Sequence, residues 1–454
     1  MFGVTRIATM VERGNRVVGP VAMGRGLSPA AAIRSWPGDA ALAAVVADGT
    51  RWSRWTILGR PSGRVVRIGD DFTRALIGPE TGVVGADRPP FVGGWIGYVG
   101  YEFGRMIEPA VGAGVRDDRG WPAGLMLRCD DAWAHDGETG AWWRIGDPPP
   151  LDAGPGVDFH VGVMRSHTGR ERFCNDAARV IEYIRAGDIF QANLSHRLSG
   201  RFTGSARGLM ARLVETAQPR HGAYVELPLD EDGIARAIVS MSPELYLDFD
   251  PGTRRVTTRP MKGTSAASAD PMELARSAKD RAELNMIVDL MRNDLGRVCE
   301  FGSVRVDQSR TLERHGGGRH GVHQGVATVS GRLREGVGIG GLIGSTFAPG
   351  SVTGAPKIRA MQIIEQLEPV ARGPYCGAVG FVSDSGHARF NVAIRTAAIT
   401  GEPGRAGPFI FENARLDYGV GAGIVADSDP KAEWCETIVK AGILRGVAES
   451  VAGA

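Results

Sequence analysis

The sequence has 454 residues, of which 43% are hydrophobic and 23% are charged, and its formal net charge is +2. A chain of this size can bury a large core, enough for two or three domains. The nearly balanced charge argues against a nucleic-acid-binding surface, and no apolar run reaches the roughly 18 residues of a membrane-spanning helix.

The N-terminus, Met1 to Arg16, lacks the apolar stretch of a signal peptide, which favours a cytoplasmic protein. Five cysteines are far apart in the chain, and none belongs to a C-x-x-C pair. This pattern predicts reduced thiols rather than disulfides or a zinc site. None of them lies in the sequence context of a glutamine-hydrolysing cysteine.

Residues 1–150 form a glycine- and tryptophan-rich region with short strand-like runs at Trp55–Leu58 and Val65–Ile68. The segment 91–103 is apolar but rich in glycine, which favours a buried strand over a helix. The proline-rich segment 147–156 predicts a linker. We therefore place a domain boundary there, before a second region at 157–450.

Helices and strands alternate after this boundary. Residues 170–186 place Phe173, Ala177, Val180, Ile181 and Ile184 on one helical face. Further helices are predicted at 271–292, 355–367 and 431–447. Strands are predicted at 191–198, 237–249, 255–259, 378–382, 389–399 and 419–426. Hairpin-connected strands with helices in separate blocks favour an α+β fold with antiparallel sheets.

Two predicted helices each carry a pair of acidic residues. Asp280 and Glu283 are three residues apart, as are Glu433 and Glu436, so each pair lies on one helical face. If the two faces meet, their hard oxygen ligands suit Mg²⁺. Either pair alone is more often explained by helix-surface ion pairs, here with a lysine four residues away.

Glycine-rich segments supply candidate anion sites. Residues 350–357 enter a predicted helix at Pro356, so free backbone N–H groups could face an anion. Residues 419–423 could form a second backbone nest. Arg395, on a predicted strand, adds a guanidinium suited to a carboxylate.

Lys262, in the segment 258–264, precedes all of these elements in the sequence. A lone lysine is usually a solvated surface residue. In a dry pocket, however, an amine can lose its proton and attack carbon, which few side chains can do at neutral pH. Beside a magnesium–dicarboxylate site, Lys262 is a candidate nucleophile.

Four segments resemble the chorismate-utilising enzymes. They are DRAELNMIVDLMRNDLGRVC (280–299), GSVTGAPKIRAMQIIEQLEP (350–369), YCGAVG (375–380) and GVGAGIVADSDPKAEWCET (419–437). The similarity covers most of residues 165–445, and FVGGWIGYVGYE also resembles the N-terminal part of that family. The resemblance implies two large, mainly antiparallel β-sheets packed together, with outer helices, an active site in a cleft and interleaved N- and C-terminal regions.

The resemblance also implies roles for individual residues. The catalytic residues would be Lys262 and Glu244, the latter as the acid/base group. Mg²⁺ would be held by Glu283 and Glu436, with Asp280 and Glu433 assisting. The substrate, chorismate, would be bound by Ser351, Thr353, Tyr375, Arg395, Gly421, Ala422, Gly423 and Lys440.

Two positions distinguish branches of the family. Water-adding members carry lysine where this chain has Gln191, and glutamine has no usable basicity. Anthranilate synthases have alanine at the position of Lys262, whereas lysine is typical of the branch that makes 4-amino-4-deoxychorismate. We therefore expect chorismate and ammonia as substrates and a separate glutamine amidotransferase subunit as partner.

Alternatives remain at this stage. An anthranilate or 2-amino-2-deoxyisochorismate synthase would place nitrogen at C2, and a catalytically silent subunit would only bind chorismate. The chain also departs from the family pattern. Leu284 follows the metal-binding glutamate where His or Asn is usual, and Gln324 aligns with the usual active-site histidine, with His323 one residue early.

Overall fold

The computed structural model describes residues 18–21, 27–69, 85, 87–115, 117–151, 154, 156–268, 270–316, 321–449 and 451–452. Segment 1–16, for which the sequence predicts no signal peptide, lies outside these residues. The helices in the described part are α1 (Pro29–Arg34), α2 (Phe103–Ile107), α3 (Gly169–Arg185), α4 (Ala206–Ala217), α5 (Pro271–Arg276), α6 (Ala278–Gly296), α7 (Ile339–Thr346), α8 (Lys357–Leu367) and α9 (Pro430–Lys440). Short 3₁₀ helices span Pro109–Val111, Gly350–Val352 and Ala441–Gly446.

The strands of the described part carry most of the architecture. They are β1 (Val18–Val21), β2 (Ala43–Ala47), β3 (Trp55–Arg67), β4 (Gly94–Val99), β5 (Gly124–Asp136), β6 (Trp142–Ile145), β7 (Phe159–Val161), β8 (Met164–Ser166), β9 (Gln191–Ser205), β10 (His221–Leu227), β11 (Ala235–Ser242), β12 (Leu245–Asp250), β13 (Arg255–Arg259), β14 (Met261–Ala266), β15 (Arg305–His315), β16 (Val322–Arg332), β17 (Gly354–Ala355), β18 (Ala378–Ser383), β19 (Ala388–Val392), β20 (Thr396–Gly404), β21 (Gly407–Ile424) and β22 (Val451–Ala452).

The strands pair into two sheets that share the long strands β3 and β5. Sheet I has the order β1-β6-β5-β3-β2-β10-β11-β20-β21-β9, and the short strands β7, β8 and β17 also pair with β9. Sheet II has the order β3-β5-β4-β18-β19-β12-β13-β16-β15. These pairings are all antiparallel. The α+β fold with two large antiparallel sheets is therefore confirmed.

N-terminal and C-terminal strands alternate within both sheets. In sheet I, β2 pairs with β10, and in sheet II, β4 pairs with β18. The strands before residue 150 therefore belong to the same sheets as those after it.

The inner faces of the two sheets pack on each other. Val379 and Phe381 of β18 point into this inner core beside Ile238 of β11, whereas their neighbours Ala378 and Val382 point outward. Because side chains alternate across a strand, a strand between two apolar layers is apolar at every position. This explains the uninterrupted hydrophobic runs in the sequence.

Helices cover the outer faces. Helices α1 and α4 pack on sheet I, while α6 and α7 pack on sheet II. Helix α3 buries Phe173, Ala177, Val180 and Ile181, as its periodicity predicts, against the end of sheet I together with α8 and α9. Within the described residues, no helix is both long and apolar enough to cross a membrane.

Several predicted element boundaries were wrong. The predicted helix 271–292 is two helices, because Ser277 adopts an extended backbone and caps α6 by accepting a hydrogen bond from the Asp280 amide. The predicted strand 389–399 is interrupted, since Arg395 has φ +51° between β19 and β20. Conversely, the two runs at 55–58 and 65–68 belong to one long strand, β3.

Candidate active site

A cavity of about 740 Å³ opens between sheet I, strand β14 and the helices α6 and α9. Its size is typical of small-molecule sites. One wall is the C-terminal end of β21, beyond the point where β20 stops pairing at Tyr418. The opposite walls come from β14, α6 and α9. Segments some 170 residues apart in sequence therefore meet around one space.

The cavity brings together most of the residues that the sequence singled out. Those lining it are Glu244, Lys262, Asp280, Glu283, Ser351, Tyr375, Arg395, Gly421, Gly423, Glu433, Glu436 and Lys440. The lining thus holds carboxylates, amines and a guanidinium in one place. Such a set of charges around a concave space is typical of an active site.

Lys262 extends across the cavity from β14. Its Nζ lies 3.1 Å from Glu283 Oε2, and both side chains are mostly buried. A Cβ atom built on Gly423 would lie 2.4 Å from the same Nζ and 3.0 Å from Gln191 Nε2. The amine therefore lies directly on the bare backbone of β21, in a space that only glycine leaves open.

The position of this amine leads to a testable expectation. Gly423→Ala should displace the Lys262 amine, because a methyl group cannot share that space, and should lower activity by about tenfold or more. The fold should survive, since the end of a lysine side chain can swing aside. Gly442→Ala is the matched control, because Gly442 also lines the cavity and its added Cβ meets nothing within 4 Å. Kinetics and thermal melting of both variants test this; equal activities would contradict the geometry.

The acidic pairs of α6 and α9 face the cavity, as the three-residue spacing predicts. The three glutamates are each engaged by a donor of the chain itself. Glu283 contacts Lys262, Glu436 Oε1 lies 2.7 Å from Lys440 Nζ, and Glu433 Oε1 accepts a hydrogen bond from Ser428 at 2.6 Å. The ion pair expected between Lys279 and Glu283 does not form.

The electrostatics of α9 differ between its two glutamates. Burial raises the pKa of Glu433, and the neighbouring charge of Glu436 adds to this. Burial alone would raise the pKa of Glu436 as well, but Lys440 and the other nearby lysines outweigh it and lower that pKa. A cation placed between the two helices would relieve the repulsion felt by Glu433.

These carboxylates fit Mg²⁺ in chemical type, since they are hard oxygen donors on facing helices. Within the described residues, however, no three His, Cys, Asp or Glu side chains converge closely enough to hold a metal ion as they stand. One oxygen of each of Glu283, Glu433 and Glu436 already accepts a hydrogen bond from a lysine or Ser428. At those oxygens a metal ion would have to replace the present donors.

The other end of the cavity is suited to an anion. Among the described residues, the guanidinium of Arg395 meets no hydrogen-bond or ion-pair partner, and burial lowers its pKa. The hydroxyl groups of Tyr418 and Ser351 are also buried without a hydrogen-bond partner. A buried donor without a hydrogen-bond partner costs free energy of folding. A cluster of such donors therefore indicates a ligand that accepts hydrogen bonds from them.

Glu244 lies at the same end, 3% exposed. Burial raises its pKa to about 7, against the opposing effects of Ser351, Lys262, Arg395 and the Met261 amide. Ser351 is near enough to lower this pKa but forms no regular hydrogen bond, so its hydroxyl remains available. A carboxyl group with a pKa near neutrality can both donate and accept a proton.

The glycine-rich segment 419–423, predicted to form a backbone nest, is part of the extended strand β21. Residues 419, 421 and 423 share the face toward the cavity, and the ring of Tyr375 lies so close to Gly419 that no Cβ would fit. Lys440 Nζ donates to the carbonyl oxygen of Gly421 at 2.9 Å. Lys440 is thus already bound at both Gly421 and Glu436.

Two predicted substrate ligands turn away from the cavity. Thr353 is fully buried and its hydroxyl donates to the Pro349 carbonyl, while the Ala422 methyl packs into the core beneath α3, α8 and α9. The anion site predicted at the start of helix 355–367 stays a prediction, and no residue of that helix lines the cavity. Helix α8 begins at Lys357, whose amine pairs with Asp294 at 2.7 Å instead of facing an anion.

The structure shows which of His323 and Gln324 faces the cavity. Gln324, not His323, lines the cavity, and its Nε2 donates to Thr264 Oγ1 at 3.2 Å. Asn193 and Tyr418 also line the cavity but carry no local motif that would have singled them out. The only indication in the sequence is the alternation of side chains along their strands. It predicts which residues share a face of the sheet, but not what those residues do.

Comparisons with known proteins agree with this arrangement. The family of chorismate binding enzymes matches residues 72–446. The aminodeoxychorismate synthase component 1 of Escherichia coli is 35% identical over 377 residues, covering 77% of this chain and 76% of the relative. The anthranilate synthase component 1 of Streptomyces coelicolor is 36% identical over 392 residues, covering 78% of this chain and 72% of the relative.

Solved structures show the same fold. Anthranilate synthase component I of Streptococcus pneumoniae superposes with a TM-score of 0.68 at 25% identity, over 97% of this chain and 94% of that one. The menaquinone-specific isochorismate synthase of Escherichia coli gives a TM-score of 0.70 at 16% identity, over 95% and 94%. With a family match over most of its length and relatives above 30% identity, the chain belongs to the chorismate binding enzymes.

Proposed function

We propose that this chain converts chorismate and ammonia to 4-amino-4-deoxychorismate. The observation that carries the proposal is the position of Lys262, whose amine lies on the cavity wall between the acidic helices and Glu244. The relatives include both aminodeoxychorismate and anthranilate synthases at similar identity. The choice therefore depends on the residue at position 262, where a nucleophile is present.

The proposed reaction proceeds in two displacements. The lone pair of the Lys262 amine forms a bond to ring C2, the two ring double bonds shift, and the C4–O bond breaks. Protonated Glu244 donates its proton to the departing hydroxyl, which leaves as water. Ammonia then bonds to C4, the double bonds shift back, the C2–N bond breaks and the neutral Lys262 amine is regenerated. The new C4 ammonium group returns one proton to the Glu244 carboxylate.

The remaining residues hold the substrate. Arg395 and Ser351 would bind the enolpyruvyl carboxylate, because this end of the cavity has unpaired donors, and Tyr375 would line the same end. The carboxylates of α6 and α9 would hold Mg²⁺, which neutralises charge on the ring carboxylate when it is bound. Ammonia would come from a separate glutamine amidotransferase subunit.

The product formed from chorismate tests this proposal. With Mg²⁺ and an ammonium salt, we expect the purified chain to release a product with nitrogen at C4, identified by NMR. With glutamine in place of ammonium we expect no turnover, since none of the five cysteines has a glutaminase context. Nitrogen at C2 would instead support the anthranilate-type alternative, and absence of any product would support a silent binding subunit.

Glu436→Gln should abolish turnover while leaving the fold intact. The side chain is about half exposed at the cavity wall, so the substitution removes a proposed metal ligand without creating a core cavity. Assays with increasing Mg²⁺, together with circular dichroism, test this. Wild-type turnover in excess chelator would refute the metal assignment.

A further inference from the structure

The contact between Lys262 and Glu283 has a consequence for metal binding. The same carboxylate is a proposed Mg²⁺ ligand and the partner of the proposed nucleophile, at 3.1 Å. A carboxylate oxygen that accepts a charged N–H donor cannot offer the same lone pair to a metal ion. A metal ion that binds Oε2 must therefore displace the amine, and a metal ion at Oε1 would be repelled by the ammonium on the same carboxylate.

The surroundings show where the lysine is held. Its amine is confined between Glu283 on α6 and the backbone of Gly423 on β21, where an added Cβ would be 2.4 Å away. Without a metal ion, Lys262 therefore takes the place of a cation at the acidic wall. It is drawn toward α6 instead of projecting freely into the cavity.

We propose that Lys262 is an internal competitor of the divalent cation, and that metal binding at Glu283 releases the lysine toward the substrate. This inference builds on the proposed function, because it uses the same nucleophile and the same metal ligand. It adds an order of events: the nucleophile is retained at the acidic wall until the metal ion is in place. The amine is thus free to attack only when the metal ion is bound.

Metal affinity tests the inference without any turnover. Lys262→Met retains most of the apolar stem and removes the ammonium that engages Glu283. Because a hydrogen bond to a charged group is lost, Mg²⁺ should bind about tenfold to a hundredfold more tightly than to wild type. Isothermal titration calorimetry with Mg²⁺, and electron paramagnetic resonance with Mn²⁺, measure this directly on the full chain.

Lys279→Met is the matched control. Lys279 lines the same cavity and is exposed, and no hydrogen bond or ion pair joins it to the described residues. Its charge acts on Glu433 and Glu436 only through space. Removing that charge should raise Mg²⁺ affinity by less than about threefold, since exposed charges are screened by solvent. This separates direct competition at Glu283 from a general effect of positive charge.

The possible outcomes are distinct. Equal affinities of wild type and Lys262→Met, or an equal gain in both lysine variants, would overturn the competition while leaving the proposed amination intact. If neither wild type nor Lys262→Met binds Mg²⁺ or Mn²⁺, competition and metal site fail together. The proposed amination is judged separately, by the position of nitrogen in the product.

Discussion

Lys262→Ala should remove the covalent intermediate and slow formation of 4-amino-4-deoxychorismate by about a thousandfold or more, because the variant has no nucleophile to attack C2. The side chain ends on the cavity wall rather than in the apolar core, so the fold should persist. The variant also opens the space around Gly423 and Gln191, where ammonia could reach C2 directly. We therefore expect residual product with nitrogen at C2.

Mass spectrometry provides the decisive measurement. Wild-type protein quenched with chorismate in the absence of ammonia should carry an adduct on the peptide containing Lys262, and the alanine variant should carry none. Lys279→Ala should retain the adduct, since Lys279 lies at the exposed rim of the same cavity. No adduct on wild type, with C4 amination unchanged in Lys262→Ala, would show that the lysine is structural.

Glu244→Gln should lower kcat by about a hundredfold to ten-thousandfold, the usual contribution of a general acid or base. The wild-type rate should fall above pH 7, because burial raises the pKa of Glu244 to about 7 and the protonated form is needed for loss of the hydroxyl. The glutamine variant should lose this pH-dependent limb. A limb that persists unchanged in the variant would assign the titration to another group.

The same substitution should stabilise the protein at high pH. The folded-state pKa of Glu244 lies above the usual value of 4.5, so folding takes up a proton between these pH values, and stability falls as pH rises from about 4.5 through 7. At pH 8 Glu244→Gln should therefore be more stable than wild type, by up to ~3 kcal/mol, with no gain at pH 4. Denaturant unfolding at both pH values checks the sign, and equal stabilities at pH 8 would contradict the burial of a charge here.

Local sequence patterns determined several features of this protein. The face of α3 and the pairing of acidic residues on α6 and α9 follow from spacings of three and four residues, which act within one helical turn. The ion pair between Glu436 and Lys440 follows from the same rule.

Other features depended on packing between distant segments. The Glu283 carboxylate contacts Lys262, 21 positions away, instead of Lys279 on its own helix, because β14 lies beside α6. Arg395 adopts a left-handed backbone that a strand pattern does not reveal. Gln324 faces the cavity because of the register between β14 and β16, where a one-residue shift would have presented His323.

The sequence alone therefore determined which chemical groups are present and which of them share a helical face. The tertiary structure decided which of those groups meet, and which donors already occupy the acidic residues. The physical reason is the distance along the chain over which each effect acts. Helical spacing brings together residues within a single turn. The cavity forms only when two sheets bury their apolar faces against each other and bring β14, β21, α6 and α9 together.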